Sequence, residues 1–218
     1  MADFATSYNA HFEVVRADTR QQLDLAYRLR YRVYCVENPF EDPTRCSDGR
    51  EIDDDDDRSV HTLLIHRRSG IAAGTSRLIM PRFDSSRPLP IQRILGSCEL
   101  DTVHCFQLHR TAEISRFAVS KEFRRRCGEE RYPDAQFPYP PTEPDPAARR
   151  LLPHITFGLL RGILGICLEY DIAVLAALMG PALLRILTRL GLNFEPVGPL
   201  VEYHGPTPAS HRPHRQTR

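Results

Sequence analysis

The chain has 218 residues, enough for one domain with an insertion or for two small domains. It is 41% hydrophobic and 26% charged, which is typical of a globular protein that buries a substantial core. The 29 Lys and Arg residues nearly balance the 28 Asp and Glu residues, which gives a net charge of +1. This balance argues against a globally basic nucleic-acid-binding protein and against a disordered acidic one.

Six cysteines are spread along the chain without a C-x-x-C pair or a regular spacing. This usage predicts reduced thiols rather than a disulfide framework. The first residues lack a basic stretch followed by an apolar one, so they predict no secretory signal. The longest uncharged apolar run, residues 172–184, is shorter than the roughly 20 residues of a membrane span. We therefore expect a cytoplasmic protein without an integral membrane span.

The first elements predicted from apolar patterns are a short strand and a helix. Residues 12–15 form an apolar run of strand length. Asp18 and Thr19 can then cap a helix that is apolar on one face over residues 23–36, and Pro39 ends it. A loop rich in Pro, Asp, Ser and Gly follows over residues 38–50.

Beyond this loop the pattern predicts a sheet and two longer helices. A turn at residues 68–70 joins two strands into a hairpin, and the later strands are rich in β-formers. Pro181 suits the first turn of the last helix. The predicted strands span residues 61–66, 71–80, 111–119 and 172–178, with short ones around Phe194 and at 200–203, and the helices span residues 149–169 and 182–190.

The order of these elements predicts an α+β or mixed α/β domain with one central sheet. We assign residues 1–205 to this domain. Residues 133–146 carry six of the 18 prolines, which predicts a semi-rigid insertion loop. Residues 206–218 contain almost nothing apolar and are expected to form a disordered tail.

Four short stretches are specific in combination, although each alone is weak. They are Leu-Arg-Tyr-Arg-Val-Tyr at 29–34, Glu-Ile-Asp-Asp-Asp-Asp at 51–56, Gly-Thr-Ser-Arg-Leu at 74–78 and Glu-Ile-Ser-Arg-Phe at 113–117. In this order they resemble the autoinducer-synthase branch of the GNAT-like acyltransferases. The phrases at 30–37, 59–64 and 202–205 are most similar to the bacterial PEP-CTERM/exosortase system-associated acyltransferases, with N-acyl amino acid synthases as near relatives. The resemblance extends from about Phe12 to Gly205.

The resemblance implies a GNAT fold, in which a splayed mixed sheet flanked by helices holds an acyl-pantetheine arm. It also implies an enzyme that transfers a fatty acyl group from an acyl carrier protein thioester to the amine of a small acceptor such as an amino acid. No permanently bound cofactor is expected, and coenzyme A is the less favoured carrier of the acyl-phosphopantetheine donor. The chain has no tryptophan, which homoserine lactone synthases usually carry after the first-helix motif. This argues against S-adenosylmethionine as the acceptor.

Glu113 is the expected catalytic residue. Aminolysis of a thioester needs a neutral amine, so a carboxylate at the cleft is an economical base for the acceptor's ammonium. Apolar neighbours on the strand desolvate the carboxyl and raise its pKa towards a useful range. The alternative is a structural glutamate paired with Arg116. Side chains alternate along a strand, so both residues reach one cleft only across a β-bulge, which the family suggests.

A set of mostly charged side chains matches positions that cluster in the autoinducer synthases. An amino acid acceptor presents an ammonium and a carboxylate, so a site with both charge signs fits it. The expected substrate-binding residues are Arg30, Tyr34, Asp53, Asp56, Arg77 and Arg116. The remaining aspartates of the same run, namely Asp54, Asp55 and Asp57, are expected to form a solvated loop.

The donor is expected to bind after the motif strand. A coenzyme A enzyme of this fold would place a glycine-rich phosphate-binding loop there, but this stretch holds only Gly128. Arginines fit the phosphodiester and acidic surface of a carrier protein better, while a solvated basic turn is the alternative. The expected donor-binding residues are Phe117, Ala118, Val119, Arg124, Arg125 and Arg126. No metal site is expected, because the spacing of Cys98, His104, Cys105 and His109 matches no zinc pattern.

Three other functions stay open. The chain could be an acyl-homoserine-lactone synthase that makes an autoinducer, or an N-acetyltransferase that uses acetyl-coenzyme A. It could also be a non-catalytic module that binds acyl groups or a partner, because a fold does not guarantee its chemistry. The expected partners are an acyl carrier protein and a small amine acceptor, with no nucleic acid.

Overall fold

The structure is a computed structural model that describes residues 2–38, 40–81, 87–95, 108–124, 155–189 and 191–197. The insertion loop expected at 133–146, the strand at 200–203 and the tail at 206–218 lie outside these ranges. The strands are β1 (Phe12–Arg16), β2 (Ser59–His66), β3 (Ile71–Ile79), β4 (Thr111–Val119) and β5 (Val174–Ala177). The helices are α1 (Ala2–His11), α2 (Arg20–Tyr31), α3 (Pro90–Leu95), α4 (Lys121–Arg124), α5 (Ile155–Glu169) and α6 (Pro181–Arg189).

The strands predicted from apolar patterns agree with β1–β5 to within two residues at each end. The first predicted helix is α2, which begins after Thr19; the Thr19 side chain accepts a hydrogen bond from the backbone N–H of Gln22. A π-helical stretch, Arg32–Glu37, continues α2 to the residues before Pro39. Helix α5 begins inside the predicted range 149–169, whose first residues lie outside the described ranges.

Two local features differ from the predictions. The strand predicted around Phe194 is wrong, because residues 192–197 have no regular structure and the Phe194 ring packs against the core as a single side chain. Helix α1 has no counterpart in the predicted elements because its sequence lacks a helical apolar period. The buried Tyr8 ring anchors this helix on the sheet instead.

The described strands form one sheet in the order β1-β2-β3-β4-β5. Neighbours from β1 to β4 are antiparallel, whereas β4 and β5 are parallel. Strand β5 pairs only with the first part of β4, from Thr111 to Ile114. Beyond Ile114, strand β4 continues to Val119 along β3 alone. The separation of β4 from β5 leaves a cleft at this end of the sheet.

A β-bulge interrupts β4 just beyond the last pair with β5. Thr75 faces Ala118 and Arg77 faces Ser115, so two residues of β4 oppose one residue of β3. One of the two, Arg116, has a φ of 49° in the left-handed region. The bulge expected to bring Glu113 and Arg116 to one cleft is therefore present, and it consists of Arg116 and Phe117.

Helices cover the two faces of the sheet. Leu160 and Ile163 of α5 pack with Ala112 and Ile114 of β4 on one face, where they form the largest group of buried apolar side chains. Helix α2 packs on the other face, where Ala26 contacts the side chains of the sheet. No helix in the described parts of the chain is long and apolar enough to cross a bilayer.

Helix α5 approaches the sheet most closely at a glycine. A β-carbon at Gly162 would lie 2.7 Å from Cγ1 of Val14 and 3.0 Å from Cγ2 of Thr62. At Gly165, one turn later, nothing lies within 4 Å of such a β-carbon. The glycine at 162 therefore serves packing of the helix onto β1 and β2.

Candidate active site

Glu113 lies on β4, within the segment that pairs with both β3 and β5. Its side chain is 3% exposed, and Oε2 accepts a hydrogen bond of 2.9 Å from the backbone N–H of Ile91 in α3. Burial raises the pKa of the Glu113 carboxyl to about 7. The alternative pairing with Arg116 is wrong, because the Arg116 guanidinium contacts three other carboxylates. Glu113 is thus a buried carboxyl without a neutralising cation among the described residues.

The bulge brings the two motif residues into one cleft. Glu113, Ser115 and Arg116 all line it, together with Tyr34. Tyr34 projects from the π-helical continuation of α2 and donates a hydrogen bond of 3.0 Å to the Phe117 carbonyl, within the bulge. Burial raises the pKa of Tyr34 to about 12, so the phenol stays a donor. The Tyr34 ring also lies 5.7 Å from the Arg116 guanidinium carbon.

Charged groups of both signs meet at the polar side of this cleft. The arginine–carboxylate cluster consists of Arg30, Arg77, Arg116, Glu51, Asp53 and Asp56. Arg30 donates through Nε to Glu51 and through Nη1 to Asp56, both at 2.6 Å. Its side chain is fully buried, so it acts on the site by ordering these two carboxylates.

The other two arginines of the cluster tie it to the sheet. Arg77 donates to Asp53, to Asp56 at 2.9 Å and to the Ser115 hydroxyl at 2.9 Å. Arg116 donates to Asp53 at 3.1 Å, and also binds Glu51. Arg77 and Asp56 are nearly enclosed, whereas 13% of the Arg116 side chain and 30% of the Asp53 side chain remain exposed. Arg77 and Arg116 line the cleft, whereas Asp53 and Asp56 line a second, more open pocket on the other side of the cluster.

The aspartate run supplies its carboxylates through a capped 3₁₀ turn, Asp54–Arg58. Asp53 accepts a hydrogen bond from the backbone N–H of Asp55, while Asp56 accepts one from the backbone N–H of Asp53. Burial opposes ionisation of Asp56, but the hydrogen bonds from Arg30, and the His61 ring nitrogen 3.3 Å away, hold its pKa far below the ordinary value. In the same way Arg77 overcomes the burial of Asp53 and lowers its pKa.

Asp55 corrects the expectation of a solvated loop. It is 6% exposed and binds Arg58 at 2.8 Å and Arg93 of α3 at 2.7 Å. Asp54 and Asp57, by contrast, are exposed. Helix α3 also carries the backbone N–H group of Ile91, which donates a hydrogen bond to Glu113. By binding Arg93, Asp55 therefore helps to hold α3 beside Glu113.

Three polar contributors were absent from the expected site. Glu51 bridges Arg30 and Arg116 and is nearly buried. It opens the motif at 51–56, which was the one available signal for it. Asp55 lies in the same motif and Ser115 in the motif at 113–117, so the same signal was available for them.

The rest of the cleft is apolar. Its volume is about 210 Å³, and Leu160, Met179 and Leu183 line it together with the Phe117 and Phe194 rings. A pocket that is apolar at one end and carries a few convergent polar groups at the other suits an amphipathic ligand.

The expected donor-binding residues are only partly described. Phe117 lines the cleft, but the Ala118 side chain packs in the core with Leu29 of α2, and Val119 packs beside another buried cluster. Arg124 ends α4; its side chain, and the whole of Arg125 and Arg126, lie outside what the structure describes. Within the described ranges no group of three His, Cys, Asp or Glu side chains could hold a metal ion, and His109 is exposed. Cys98, His104 and Cys105 lie outside the described ranges.

Comparison with known proteins identifies the fold. Residues 29–132 match the family model of an acetyltransferase (GNAT) domain. The AHL synthase LasI superposes with a TM-score of 0.57 at 17% identity, over 89% of this chain and 85% of LasI. BjaI, a CoA-dependent acyl-homoserine lactone synthase solved with SAM and isopentyl-CoA, gives a TM-score of 0.52 at 21% identity, over 84% of this chain and 75% of BjaI. No curated protein matches the chain.

These matches confirm the expected GNAT-like fold, since both structures share the mixed sheet at low sequence identity. The match of residues 29–132 to the acetyltransferase (GNAT) domain model also confirms the expectation of an acyltransferase enzyme. The PEP-CTERM/exosortase association stays a prediction.

Proposed function

We propose that the chain transfers a fatty acyl group from a phosphopantetheine thioester, carried by acyl carrier protein, to the amine of a small acceptor such as an amino acid. The observation that supports this most is Glu113, a buried carboxyl with a pKa of about 7 in the cleft where β4 and β5 separate. Such a carboxyl is about half ionised at neutral pH and forms no salt bridge with the residues that the structure describes. It can therefore take a proton from an ammonium group.

The reaction begins at the polar end of the cleft. Glu113 removes a proton from the acceptor's ammonium, directly or through a water molecule. The free amine attacks the thioester carbonyl, and the oxyanion lies near the backbone N–H groups of the bulge at Arg116 and Phe117. The C–S bond then breaks, the amide product forms, and the leaving thiolate takes up a proton.

The acyl chain lies at the apolar end. Leu160 of α5 and Leu183 of α6 form walls there, and Met179 is flexible enough to adjust to the chain. This arrangement separates the chain from the charged acceptor, so the two substrates meet only at the thioester carbonyl.

Arg116 recognises the acceptor, because its guanidinium lines the cleft together with Glu113 and stays partly exposed. An amino acid offers its carboxylate to this guanidinium and its ammonium to Glu113. Asp53 accepts a hydrogen bond from Arg116 and holds it in this position. Arg30 and Asp56 are enclosed and hold this pair in place rather than touch the acceptor.

Acyl-homoserine-lactone synthesis is the second candidate. One observation favours it: every side chain expected from the autoinducer-synthase resemblance at the polar end contributes to this one site. Its acceptor would be S-adenosylmethionine, and lactone closure would release methylthioadenosine. An N-acyl amino acid synthase releases no such nucleoside, so the second product separates the two functions.

The test uses the purified chain with an acyl carrier protein loaded with a fatty acyl group. Proteinogenic amino acids or S-adenosylmethionine serve as acceptors, and mass spectrometry follows the acylated product and methylthioadenosine. We expect an N-acyl amino acid, formed in step with release of the carrier thiol. Binding of the loaded carrier without any acceptor-dependent thiol release would instead make the chain a non-catalytic acyl-binding module.

The donor is tested separately with one acyl chain attached either to the carrier protein or to coenzyme A. We expect the carrier-protein form to have much the higher kcat/KM, with a dependence on ionic strength that the basic residues after β4 would produce. Reversal of Arg124 and Arg125 to Glu should lower this kcat/KM, and added salt should shrink the deficit. Equal use of both donors would contradict the carrier-protein proposal and leave acyl transfer intact.

A further inference from the structure

Two cysteines touch each other beside the candidate active site. Sγ of Cys35 and Sγ of Cys46 lie 3.6 Å apart. Cys35 belongs to the π-helical continuation of α2, and Cys46 follows directly on the short 3₁₀ turn Pro43–Arg45. A disulfide bond is about 2.0 Å long, so an approach of roughly 1.5 Å between the two sulfurs would close it.

The two thiols differ in access. Cys35 is 7% exposed, and burial together with its contact to Cys46 raises its pKa to about 12, so it is inert towards outside reagents. Cys46 is more exposed and offers an entry for a small oxidant. The third free cysteine in the described ranges, Cys167, is buried in α5. Only the 35–46 pair among them therefore combines an accessible thiol with an adjacent second thiol.

We propose that Cys35 and Cys46 form a reversible disulfide by exchange with a small-molecule disulfide, for which glutathione disulfide is the probe. The Cys46 thiolate attacks one sulfur of glutathione disulfide, which forms a mixed disulfide and releases one glutathione thiolate. The Cys35 thiolate then attacks the Cys46 sulfur, which forms the internal S–S bond and releases the second glutathione. Each glutathione leaves with one of the two cysteine protons, so two thiols are oxidised and one disulfide is reduced.

The segment between the two cysteines contacts the candidate active site through Glu41. Glu41 lies within it and binds the Arg116 guanidinium at 3.1 Å. The backbone N–H of Glu41 also donates to the Tyr34 carbonyl, next to Cys35. A bond between the cysteines therefore pins the loop that carries Glu41 against the helix that carries Tyr34. The disulfide itself does not depend on the proposed function, whereas its effect on acceptor binding does.

Trypsin makes this bond easy to detect. Cleavage after Arg32, Arg45 and Arg50 leaves Cys35 in the peptide 33–45 and Cys46 in the peptide 46–50. The full-length reduced protein is incubated with glutathione disulfide, its free thiols are alkylated, and it is digested without reductant. We expect the two peptides to appear as one disulfide-linked species. The fraction of protein that gives this species should rise to most of the sample as the ratio of oxidised to reduced glutathione rises. Dithiothreitol should separate the two peptides.

Single substitutions distinguish this pair from random oxidation. Cys35→Ser removes the resolving thiol, so Cys46 should retain one glutathione as a mixed disulfide. Cys46→Ser should leave Cys35 unmodified until the protein is unfolded, and Cys167→Ser should change nothing. Wild-type protein that carries glutathione on Cys46 without the joined peptides would overturn the proposal. So would a bond from Cys46 to another cysteine or to a second chain on a non-reducing gel.

The melting temperature tests whether the disulfide restrains this loop, and it needs no enzyme assay. Closure of this short loop restricts the unfolded chain, so the oxidised protein should melt about 5 °C above the reduced one, a difference absent in Cys46→Ser. An unchanged melting temperature at full oxidation would contradict the pinning. If the chain transfers acyl groups, oxidation should also change KM for the acceptor more than KM for the donor. Failure of the acyl-transfer proposal leaves the peptide and melting results intact.

Discussion

Glu113 and Asp56 are both buried carboxyls of the same site, yet their pKa values are shifted in opposite directions. Burial raises the pKa of Glu113 to about 7, and its one described hydrogen bond is from a backbone N–H group. Burial also opposes the charge on Asp56, but His61 and two guanidinium groups hold its pKa well below the ordinary value. The partners, and not the depth of burial, decide which carboxyl keeps its charge.

This difference separates a structural region from a reactive one. Asp56 is charged at neutral pH, so it can fix the positions of Arg30 and Arg77. Glu113 changes its charge near neutral pH, so it can move a proton. Titratable groups whose environments push their pKa values apart often mark such a division of roles.

The largest expected effect is on turnover. Glu113→Gln keeps the shape of the side chain but removes its basicity, so kcat should fall by about 10²–10⁴-fold while the KM for the donor changes little. Steady-state kinetics with the carrier-protein thioester measure this. Glu169→Gln, at the exposed end of α5, serves as the matched control and should keep full activity. An unchanged kcat at saturating acceptor would place Glu113 with the structural carboxyls.

The next effect concerns the enclosed charges. Arg30→Gln leaves Glu51 and Asp56 without their main cation, which should lower the free energy of unfolding by about 3–5 kcal/mol. Arg28→Gln, on the same helix, removes a surface pair with Asp24 and a long, exposed hydrogen bond to the Asp48 carbonyl, and should cost about 0.3–0.5 kcal/mol. Urea unfolding of both variants checks the contrast. Similar losses would show that the cluster contributes no more than a surface ion pair.

A smaller effect is expected from pH. The folded Glu113 holds its proton up to about pH 7, whereas in the unfolded chain it loses the proton near 4.5. Its contribution to stability is therefore complete below pH 4.5 and is lost as the pH rises through 7, by at most about 3 kcal/mol. Urea unfolding from pH 5 to 8 should show this decline in the wild type and not in Glu113→Gln. Parallel curves for the two proteins would contradict the raised pKa.

The contribution of Asp56 to the free energy of unfolding should depend on pH in the opposite direction, at acid pH. Because its folded pKa is depressed below the ordinary 3.8, its contribution is present above that value and is lost as the pH falls further. Glu113→Gln should not alter this acid limb, since the substitution leaves the cluster unchanged.

The smallest effect tests the bulge that joins the two regions. Tyr34→Phe removes the hydrogen bond to the Phe117 carbonyl and should lower the free energy of unfolding by about 1 kcal/mol. It should also lower kcat, because the bulge presents its N–H groups to the thioester. Tyr170→Phe, at an exposed position after α5, is the control for loss of a phenol. A stable variant with full kcat would remove Tyr34 from the reactive region.

Much of this architecture was predictable from local sequence. The strands follow from their apolar runs, and Thr19 marks the start of α2 because a hydroxyl caps the first free N–H groups. The motif at 113–117 places Glu113 among apolar neighbours, which was enough to expect a desolvated carboxyl. The resemblance added the bulge, which no alternation pattern reveals.

Only the tertiary structure decided which charges neutralise each other. Glu51 meets Arg116 across 65 residues of sequence, and Asp55 meets Arg93 across 38, so no local pattern shows either contact. For the same reason five consecutive aspartates look alike in the sequence, although two of them face buried guanidinium groups and two face solvent. The sequence by itself predicted strands β1–β5 and helix α2 and singled out Glu113 as the candidate reactive carboxyl, because periodicity and motifs act over short distances. The fold determined their ionisation, because a pKa depends on which groups the folded chain brings within a few ångströms.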